Sequence, residues 1–432
     1  MEFKKITVGN FAENLDRFRI PLSSAEREKK RGKYPYYGAA KIIDYVDGFT
    51  HSGLSVLIAE DGSVETDKGY PVVQLANGEY WVNNHTHVLK GKNDWDTLYL
   101  YYALQIIKVS PFVTGAVQKK ISQKALNSME LNYFEDPMIR RKIVESLLGL
   151  DKKIELNTQI NQTLEQIAQT IFKSWFIDFD PVHAKANALA SGQTLEQATQ
   201  AAMAVISGKN TQELHRLQTA NPEQYQQLWE IAEAFPSGFS GYKNLGEIPI
   251  GWNVLTFKDF ISESKEKIGS LEDVPEYSVG NEGIYPRSEK YNKSLSKTPE
   301  KNKVVRIGDL VFGMGSKTLN WGIMNDEIGS VSPAYFVYRI FTNINYIYLN
   351  KYIKAKEYDF QNLIKPTSRQ GQSVDKEMFL KKEIYVPNEY LLNIYLNKLK
   401  EIDSLVYSYT TEVLILEQIR DELLPKLLSG EI

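Results

Sequence analysis

The sequence of 432 residues contains no cysteine. Disulfide frameworks, thiolate-ligated zinc or iron–sulfur sites and thiol nucleophiles are therefore excluded, and a reducing cytosol is the expected setting. A strong net charge is also lacking, because the formal charge is only −3, so no overall positive field indicates a polyanionic partner. No window of ~18 residues stays apolar, and the first residues lack the apolar core of a signal peptide. We expect a soluble, cytoplasmic protein.

The motifs of several enzyme classes are missing as well. No proline follows another proline, which excludes the Pro-Pro-aromatic motif of amino-methyltransferases. Each Gly-Lys pair continues with Tyr or Asn, so there is no phosphate-binding P-loop. The absence of a Pro-Asp pair argues against a PD-(D/E)xK nuclease. His85 and His87 alternate on a predicted strand, and we interpret them as hydrogen-bonding residues, with a metal pair as the less favoured alternative.

Two long segments, 137–176 and 388–428, carry apolar residues at alternating spacings of three and four, which is typical of a coiled-coil seam. Adding 252 to the residue numbers of the first seam gives the residues of the second, so the two segments form an internal sequence repeat. Asp136 and Asn388 are the predicted N-caps of the two helices. The first seam consists of Ile143, Leu147, Leu150, Ile154, Asn157, Asn161, Leu164, Ala168, Ile171 and Trp175. The second consists of Tyr395, Leu399, Ile402, Val406, Tyr409, Val413, Leu416, Arg420, Leu423 and Leu427.

The repeat extends to the globular segment that precedes each helix. Lys5–Phe11 resembles Val254–Phe260, and Gly115–Ser122 corresponds to Arg369–Asp375 near the end of each globular segment. Strand-like runs separated by Gly and Asp turns, together with one shorter helix, predict an α+β fold for both segments. Residues 184–235 are rich in Ala and Gln and predict a helical insert, whose function the sequence does not indicate.

Each globular segment contains one local basic stretch. Residues 17–33 include seven basic and two acidic residues, and residues 287–306 have the same counts. Tyrosines lie beside both stretches, a mixture suited to DNA phosphates, whereas solvated surface charge is the alternative. The 32-residue rise from Ile143 to Trp175 corresponds to roughly 48 Å of helix. Two similar globular modules joined by such helices predict a protein that binds DNA at two sites about one turn of the double helix apart.

Four segments of the sequence resemble the DNA-specificity subunits of type I restriction–modification enzymes. They are Gly32–Ala39, Val56–Ser63, Trp175–Pro181 and Leu245–Trp252, and Arg306–Val311 is similar to a Gly-Asp strand of that family. The motifs Trp-Phe-x-Asp-Phe-Asp-Pro and Leu-Gly-x-Ile-Pro-x-Gly-Trp are specific when they occur together between two such globular segments. The chain departs from the family pattern in its long insert and in a second copy without a clear Gly-x-x-Gln.

The resemblance implies an α+β protein with an internal two-fold repeat. Two target-recognition domains would be joined by two long antiparallel helices that form a coiled coil, and a helical insert would be added. The predicted parts are a first globule at 1–135, a first long helix at 136–178, an insert at 179–236, a second globule at 237–387 and a second long helix at 388–432.

The resemblance also implies a function. Such a subunit is not an enzyme: each globule would read one half of an asymmetric, bipartite DNA target, and the helices would set the spacer. Two modification subunits would dock on the chain and supply S-adenosylmethionine and adenine methylation. Restriction subunits would add ATP- and Mg-dependent translocation and cleavage, and the chain itself would bind no cofactor and no metal.

The candidate site residues fall into two groups. The candidate DNA-binding residues are Lys29, Lys30, Arg31, Lys33, Tyr36, Tyr37, Ser63, Gln118, Lys119, Lys120, Arg287, Lys290, Lys293, Lys297, Lys317, Arg369, Gln370 and Gln372. The candidate partner-binding residues form an apolar stripe off the seam in both copies of the helix. The alternative is that the globules of the chain itself pack on this stripe. These residues are Ile167, Phe172, Phe176, Ile419, Leu424 and Leu428.

Two other classes of protein compete with this interpretation. A DNA enzyme that acts alone would need catalytic motifs, and the motifs described above are missing from the sequence. A purely structural coiled-coil protein would leave two large, aromatic-rich globules without a role. Methylation by the isolated chain would favour the first alternative, and co-purification with a methyltransferase would favour a specificity subunit.

Overall fold

The computed structural model describes residues 2–115, 118–242, 245–280, 283–290, 295–314, 319–366 and 372–432. It divides the chain into two compact units, Met1–Gln162 with Leu405–Ile432, and Thr163–Ser404. Each long helix therefore contributes a segment to both units. None of the helices in the described ranges combines the length and the apolar character needed to cross a membrane.

In its described residues, the first globule consists of short strands and short α-helices. The strands are β1 (Lys4–Thr7), β2 (Glu13–Asn14), β3 (Arg31–Tyr37), β4 (Ile42–Val46), β5 (His51–Ser52), β6 (Ser55–Ala59), β7 (Val73–Ala76), β8 (Glu79–Val82), β9 (Thr86–Lys90), β10 (Val113–Thr114), β11 (Lys120–Ile121) and β12 (Glu130–Tyr133). The helices are α1 (Val8–Phe11), α2 (Ser24–Lys29), α3 (Asp94–Leu104) and α4 (Gln123–Ser128). The main sheets have the strand orders β2-β9-β6-β7 and β4-β3-β8-β5, while β1 pairs with β12 and β10 pairs with β11.

After the first globule come the first long helix, α5 (Pro137–Phe176), and the insert, which consists of α6 (Asp180–Ala190), α7 (Leu195–Ser207), α8 (Thr211–Ala220) and α9 (Pro222–Glu233). The strands that follow are β13 (Phe239–Tyr242), β14 (Gly246–Pro249), β15 (Asn253–Thr256), β16 (Ile261–Ser264), β17 (Tyr277–Gly280), β18 (Gly283–Pro286), β19 (Lys303–Arg306), β20 (Leu310–Met314), β21 (Leu319–Ile323), β22 (Ile328–Val331), β23 (Phe336–Ile340), β24 (Ile364–Pro366), β25 (Gln372–Val374) and β26 (Glu383–Val386). The helices of the second globule are α10 (Tyr346–Ala355), α11 (Glu357–Gln361) and α12 (Lys376–Leu380), and the second long helix is α13 (Glu389–Leu428).

The two globules share a large part of their topology, although the four-stranded sheet β4-β3-β8-β5 occurs in the first alone among the described residues. The sheet β16-β23-β20-β21 of the second repeats the order β2-β9-β6-β7 of the first, β15–β26 repeats β1–β12, and β24–β25 repeats β10–β11. In the first globule Tyr99 of α3 donates its hydroxyl to the carbonyl of Asn132 in β12. In the second globule Tyr348 of α10 makes the equivalent bond to the carbonyl of Tyr385 in β26. The predicted internal repeat and α+β class are confirmed.

The long helices form where the sequence predicts them. The carboxylate of Asp136 accepts the Met138 amide, and the side chain of Asn388 accepts the Leu391 amide, so both predicted N-caps are present. Every residue of both predicted seams is buried or half-buried. Asn157 is fully buried and its amide has no hydrogen-bond partner, which is a destabilising but register-specific feature of a coiled-coil seam.

In the first unit, α5 and α13 run antiparallel and the first globule contacts both helices. Tyr102 of α3 donates its hydroxyl to Asp151 of α5 at 2.6 Å. Asp151 also accepts a hydrogen bond from Arg420 of α13 at 3.2 Å. Asp421 pairs with Lys68 of the globule at 2.7 Å. Through these polar contacts the globule binds two helices that are distant in sequence.

In the second unit, aromatic packing replaces the polar contacts. Phe176 of α5 lies 5.0 Å from Tyr395 of α13 and 5.5 Å from Tyr348 of the globule, measured between ring centroids. Phe179, with a positive φ of 55°, follows α5 and its ring meets Trp252 at 5.4 Å. The two sequence motifs that contain Phe179 and Trp252 therefore pack against each other, and this contact compensates for the strained backbone at Phe179.

A buried lysine joins the first helix of the insert to the end of the insert. Lys185 of α6 is 3% exposed and donates hydrogen bonds to the carbonyls of Ala232, in the last turn of α9, and of Phe235, just beyond it. Burial lowers the pKa of Lys185. Because the ammonium satisfies carbonyls that a helix end leaves without partners, Lys185 fixes the chain where it returns from the insert.

Candidate nucleic-acid interface

The basic stretch of the first globule begins on α2 and continues into β3. A capping box between Ser23 and Glu26 starts α2, and Lys29 lies in its last turn. A β-bulge interrupts the pairing of β3 with β4 between Arg31 and Tyr34. A Cβ atom at Gly32 would lie 2.4 Å from the Val46 carbonyl oxygen, so only glycine fits there.

This bulge leaves the basic side chains on the surface. Lys29, Arg31 and Lys33 are exposed, and the side chain of Lys30 is 47% exposed with Asp47 3.8 Å away. The ammonium of Lys33 lies 5.1 Å from the ring centroid of Tyr34, itself beside Phe49. These four cations can reach a polyanion without unfolding any part of the globule.

Two of the predicted DNA contacts in this stretch are wrong. Tyr36 is 1% exposed, and its hydroxyl accepts a hydrogen bond from the Leu22 amide at 2.9 Å. Tyr37 is 9% exposed and packs edge-on against Tyr80 at 5.7 Å. The two neighbouring residues point to opposite faces of β3, and each ring packs in a separate core of the globule, so both stabilise the sheet.

The hairpin β10–β11 carries another group of candidates and packs against the loop after β6. The Ile121 amide donates to the Glu60 carbonyl at 2.8 Å, and the Gly62 amide donates to the Lys119 carbonyl at 3.1 Å. Gln118, Lys119, Lys120 and Ser63 are exposed, so the structure brings these four predicted residues together. Lys119 is paired with Glu65, and Lys120 is 3.0 Å from Glu60, so part of the hairpin's positive charge is used within the globule.

A buried polar cluster lies beneath this hairpin. His87 of β9 is 1% exposed, with Nδ1 2.6 Å from Asp16 Oδ2 and Nε2 2.8 Å from the Ile121 carbonyl. Arg19 donates to Glu60 at 2.6 Å. Burial alone would raise the pKa values of Asp16 and Glu60, but the bonds from His87 to Asp16 and from Arg19 and Lys120 to Glu60 outweigh it, so both pKa values are lowered. Both groups are therefore carboxylates at neutral pH.

Potential metal ligands in the described part of the chain form one group of three, Asp16, Glu60 and His87, whose ligand atoms lie within 4.8 Å of one another. The two carboxylates already accept hydrogen bonds from Arg19, Lys120 and His87. We therefore interpret the group as a hydrogen-bonded cluster. His85, which is half exposed, pairs with Asp61 at 2.8 Å. The interpretation of His85 and His87 as hydrogen-bonding residues is confirmed.

The candidates of the second globule are only partly described. Lys290 and Lys297 are exposed, whereas Arg287 is half-buried and donates a hydrogen bond to Ser278. The ammonium of Lys290 lies 4.3 Å from the ring centroid of Tyr285. The predicted residues Lys293, Lys317, Arg369 and Gln370 lie outside the described residues, and Gln372 lies in β25 without a described side chain.

The apolar stripe predicted to bind partners is largely covered by the chain itself. Phe172 and Phe176 are 3% and 0% exposed within the core of the second unit, and Leu424 and Leu428 are 6% and 1% exposed within the core of the first. For these four residues the prediction is wrong, because each helix end packs on a globule. Ile167 and Ile419 remain exposed at 44% and 40%.

Sequence reasoning also missed several residues of these sites. Asp16, Arg19 and Glu60 come together only through the fold, although Arg19 lies in the basic stretch 17–33 and Glu60 in the segment Val56–Ser63. Ile415 is 52% exposed and lies one helical turn before Ile419. Its i, i+4 spacing to Ile419 was a signal available in the sequence.

Comparison with known proteins identifies the class. Residues 1–166 match the family described as "Type I restriction modification DNA specificity domain". The HindI specificity subunit of a type I restriction enzyme from Haemophilus influenzae is 34% identical over 338 residues, which cover 72% of this chain and 71% of the relative. A second H. influenzae protein, the putative specificity subunit S.HindORF215P, is 40% identical over 124 residues, 29% of this chain and 30% of that protein.

The fold agrees with these similarities. The crystal structure of a type I restriction–modification S subunit from M. genitalium superposes with a TM-score of 0.50 at 14% identity and covers 99% of this chain and 96% of that chain. The chain belongs to the specificity subunits of type I restriction–modification systems. It is a non-catalytic subunit that gives such a complex its DNA sequence specificity.

Proposed function

We propose that each globule of this chain reads one half of an asymmetric, bipartite target in double-stranded DNA. The observation that carries the proposal is the repeated topology, in which β10–β11 and β24–β25 occupy equivalent places in the two globules. Each hairpin follows the middle helix and precedes the short helix and last strand of its globule. The two hairpins have the same place in the fold but different sequences, which suits recognition of two different half-sites on one DNA molecule.

The residues divide into those that position DNA and those that select bases. The exposed cations Lys29–Lys33 and the exposed Lys290 and Lys297 suit phosphate contacts, which give affinity without sequence preference. Gln118 and its exposed hairpin neighbours suit base edges, because amide and ammonium groups distinguish the donor and acceptor pattern of the major groove. The spacer between the half-sites is then set by the helices.

The proposed partners are two modification subunits, with restriction subunits added in a complex that acts in the cytoplasm. The modification subunits would supply S-adenosylmethionine and adenine methylation, and the restriction subunits would supply ATP- and Mg-dependent cleavage. For docking, we select the exposed pair Ile415 and Ile419 on α13 and the exposed Ile167 on α5, because Ile167 and Ile419 belong to the predicted stripe and Ile415 lies one turn from Ile419. Residues 167 and 419 are equivalent positions of the repeat, so the two sites would be related.

The docking site can be tested with charge substitutions. The double substitution Ile415→Asp with Ile419→Asp should weaken binding of one modification subunit at least ~30-fold, because an interface core loses two apolar contacts of ~1–2 kcal/mol each. Native mass spectrometry should then show one modification subunit per chain in place of two. Leu414→Asp, on a different face of the same helix and 62% exposed, is the matched control and should keep both. Full stoichiometry in the double variant would contradict this site.

The proposed function itself is tested by methylation of genomic DNA. A strain that carries this chain with its modification subunit should methylate adenines in one bipartite motif, and deletion of the chain should abolish that methylation. Single-molecule sequencing measures both results. A continuous motif, or an unchanged methylation pattern after deletion, would contradict the proposal.

A further inference from the structure

The loop between β4 and β5 carries an exposed phenylalanine beside the basic stretch of the first globule. Phe49 is 46% exposed, and its ring lies 5.4 Å from the half-buried ring of Tyr34, measured between centroids. Neither ring belongs to a hydrophobic core in the part of the chain that the structure describes. The apolar surface of this ring pair is therefore available to a partner.

Backbone hydrogen bonds fix the loop at both ends. The Asp47 amide donates to the Lys30 carbonyl at 2.7 Å, and the Thr50 amide donates to the Tyr80 carbonyl at 3.0 Å. The aromatic ring on β3 supports the Phe49 ring from one side. Phe49 is therefore held at a defined place on the surface of the globule.

Cations surround the ring pair. The ammonium of Lys33 lies 5.1 Å from the ring centroid of Tyr34, and Arg31 is exposed on the same strand. Lys30, whose carbonyl binds the loop, is also at the surface, where it faces Asp47 at 3.8 Å. An apolar ring among cations suits a polyanion that also offers apolar surface. Double-stranded DNA has both, because charged phosphates enclose a stack of apolar base faces.

A phenyl ring can gain from only two parts of a DNA duplex. One is the methyl group of thymine in the major groove, and the other is the face of a base, which becomes accessible when a base step is unstacked. A methyl contact needs no rigid support, whereas unstacking needs a side chain that does not yield. The fixed loop and the supporting ring therefore favour a contact with base faces.

We propose that Phe49 determines specificity for the first half-site as an apolar wedge that inserts between two of its base pairs. The inference rests on the proposed function. Because pyrimidine–purine steps open at lower cost than stiff steps, a wedge selects sequence without a hydrogen bond to a base edge. The sheet β4-β3-β8-β5, which carries this loop, occurs in the first globule alone among the described residues. We expect the second half-site to be read without such a contact.

The test uses the complex of this chain with its modification subunits and a duplex that carries the methylated motif. Phe49→Ala should weaken binding of the intact target about tenfold, as the loss of one stacked ring does. It should also reduce the DNA bend, measured by energy transfer between dyes at the two ends of the duplex. The salt dependence of Kd should stay unchanged, whereas Lys33→Ala should lower its slope by about one.

Mismatched base pairs locate the wedge. A mismatch lowers the cost of unstacking at one step, and it is moved one position at a time through both half-sites. At one step of the first half-site, the mismatch should improve binding by the wild-type complex about fivefold more than binding by the Phe49→Ala complex. No position of the second half-site should show this difference. A difference that is absent from the first half-site would contradict the wedge.

Two further substitutions assign the effect to the shape of the side chain. Phe49→Leu retains an apolar wedge and should keep most of the affinity and the bend. Tyr45→Ala is the matched control, because Tyr45 is 52% exposed on the same sheet but points away from the face of Val46, the register partner of Tyr34. Equal losses in Phe49→Ala and Tyr45→Ala would overturn the inference.

The remaining outcomes separate the inference from the proposed function. If Phe49→Ala binds and bends DNA like the wild type while Lys33→Ala weakens binding, the wedge is wrong and the proposed function stands. Uracil in place of thymine that weakens the wild type alone, with the same bend in both complexes, would show a methyl contact and overturn the wedge. Loss of a modification subunit from the Phe49→Ala complex in native mass spectrometry would show a protein contact and overturn it as well. If the wild-type complex discriminates neither half-site, the proposed function fails, and the inference fails with it.

Discussion

Leu428→Asp is expected to unfold the first globule, although Leu428 lies 296 positions after Asn132, the residue that binds it. The Leu428 side chain is 1% exposed in the same core as Leu126, Leu131 and Phe134. Its carbonyl accepts the Asn132 side-chain amide at 2.7 Å. A carboxylate in that core has no cation to pair with among these contacts, and burying it costs several kcal/mol, comparable to the stability of a domain.

Hydrogen exchange read by mass spectrometry is the appropriate measurement, because it reports on each globule separately. Peptides from 2–115 and 118–135 should lose protection by at least ~100-fold, and peptides from the second globule should keep theirs. Leu414→Asp is the matched control, since it places the same charge on the same helix at a 62% exposed position. Equal protection of the first globule in both variants would show that the end of α13 is not part of its core.

The long helices could be predicted from the sequence because their signals are local. Heptad spacing and the caps Asp136 and Asn388 depend on neighbours within a turn or two, and the structure has α5 and α13 within one residue of the predicted segments. The repeat was visible for the same reason, since two copies of one local pattern can be aligned without knowledge of the fold.

Which residues pack on the apolar stripe off the seam could not be predicted in this way. Leu424 and Leu428 pack on a globule at the other end of the chain, and Phe172 and Phe176 pack on the globule that follows them. A periodic pattern shows that a face is apolar but not what covers it, because that depends on long-range topology. Both copies carry the stripe because each globule needs one helix end from each repeat.

Strand register decides which candidate residues of β3 are exposed and which are buried. Its position in sequence predicts that Tyr36 belongs with the basic residues, yet its ring lies in a core beside Leu22. The same argument applied to Lys33 predicts an exposed side chain, and Lys33 is exposed next to the bulge at Gly32. Neighbourhood in sequence predicts the region of an interface, whereas the direction of each side chain depends on register.

Exchange of the first globule is expected to change one half of the DNA target and to leave the other half and the spacer unchanged. Residues 1–135 would be replaced by the corresponding part of a family member with another target, and the methylated motif would be read by single-molecule sequencing. The reciprocal exchange of 237–387 is the control and should change only the opposite half. A base contact is worth roughly 1–3 kcal/mol, so loss of the several contacts in one half-site should abolish methylation of the original motif.

The packing of Leu424 and Leu428 adds a condition to this experiment. A foreign first globule must bury these two side chains and supply a partner for Asp421 in place of Lys68, or it will lack part of its core. A second chimera should therefore take 421–432 from the same donor as 1–135. If it restores stability to a poorly folded first chimera and methylates the expected hybrid motif, the globule reads independently although it does not fold independently. A motif altered in both halves, or a changed spacer, would contradict the proposal that each globule reads its own half-site.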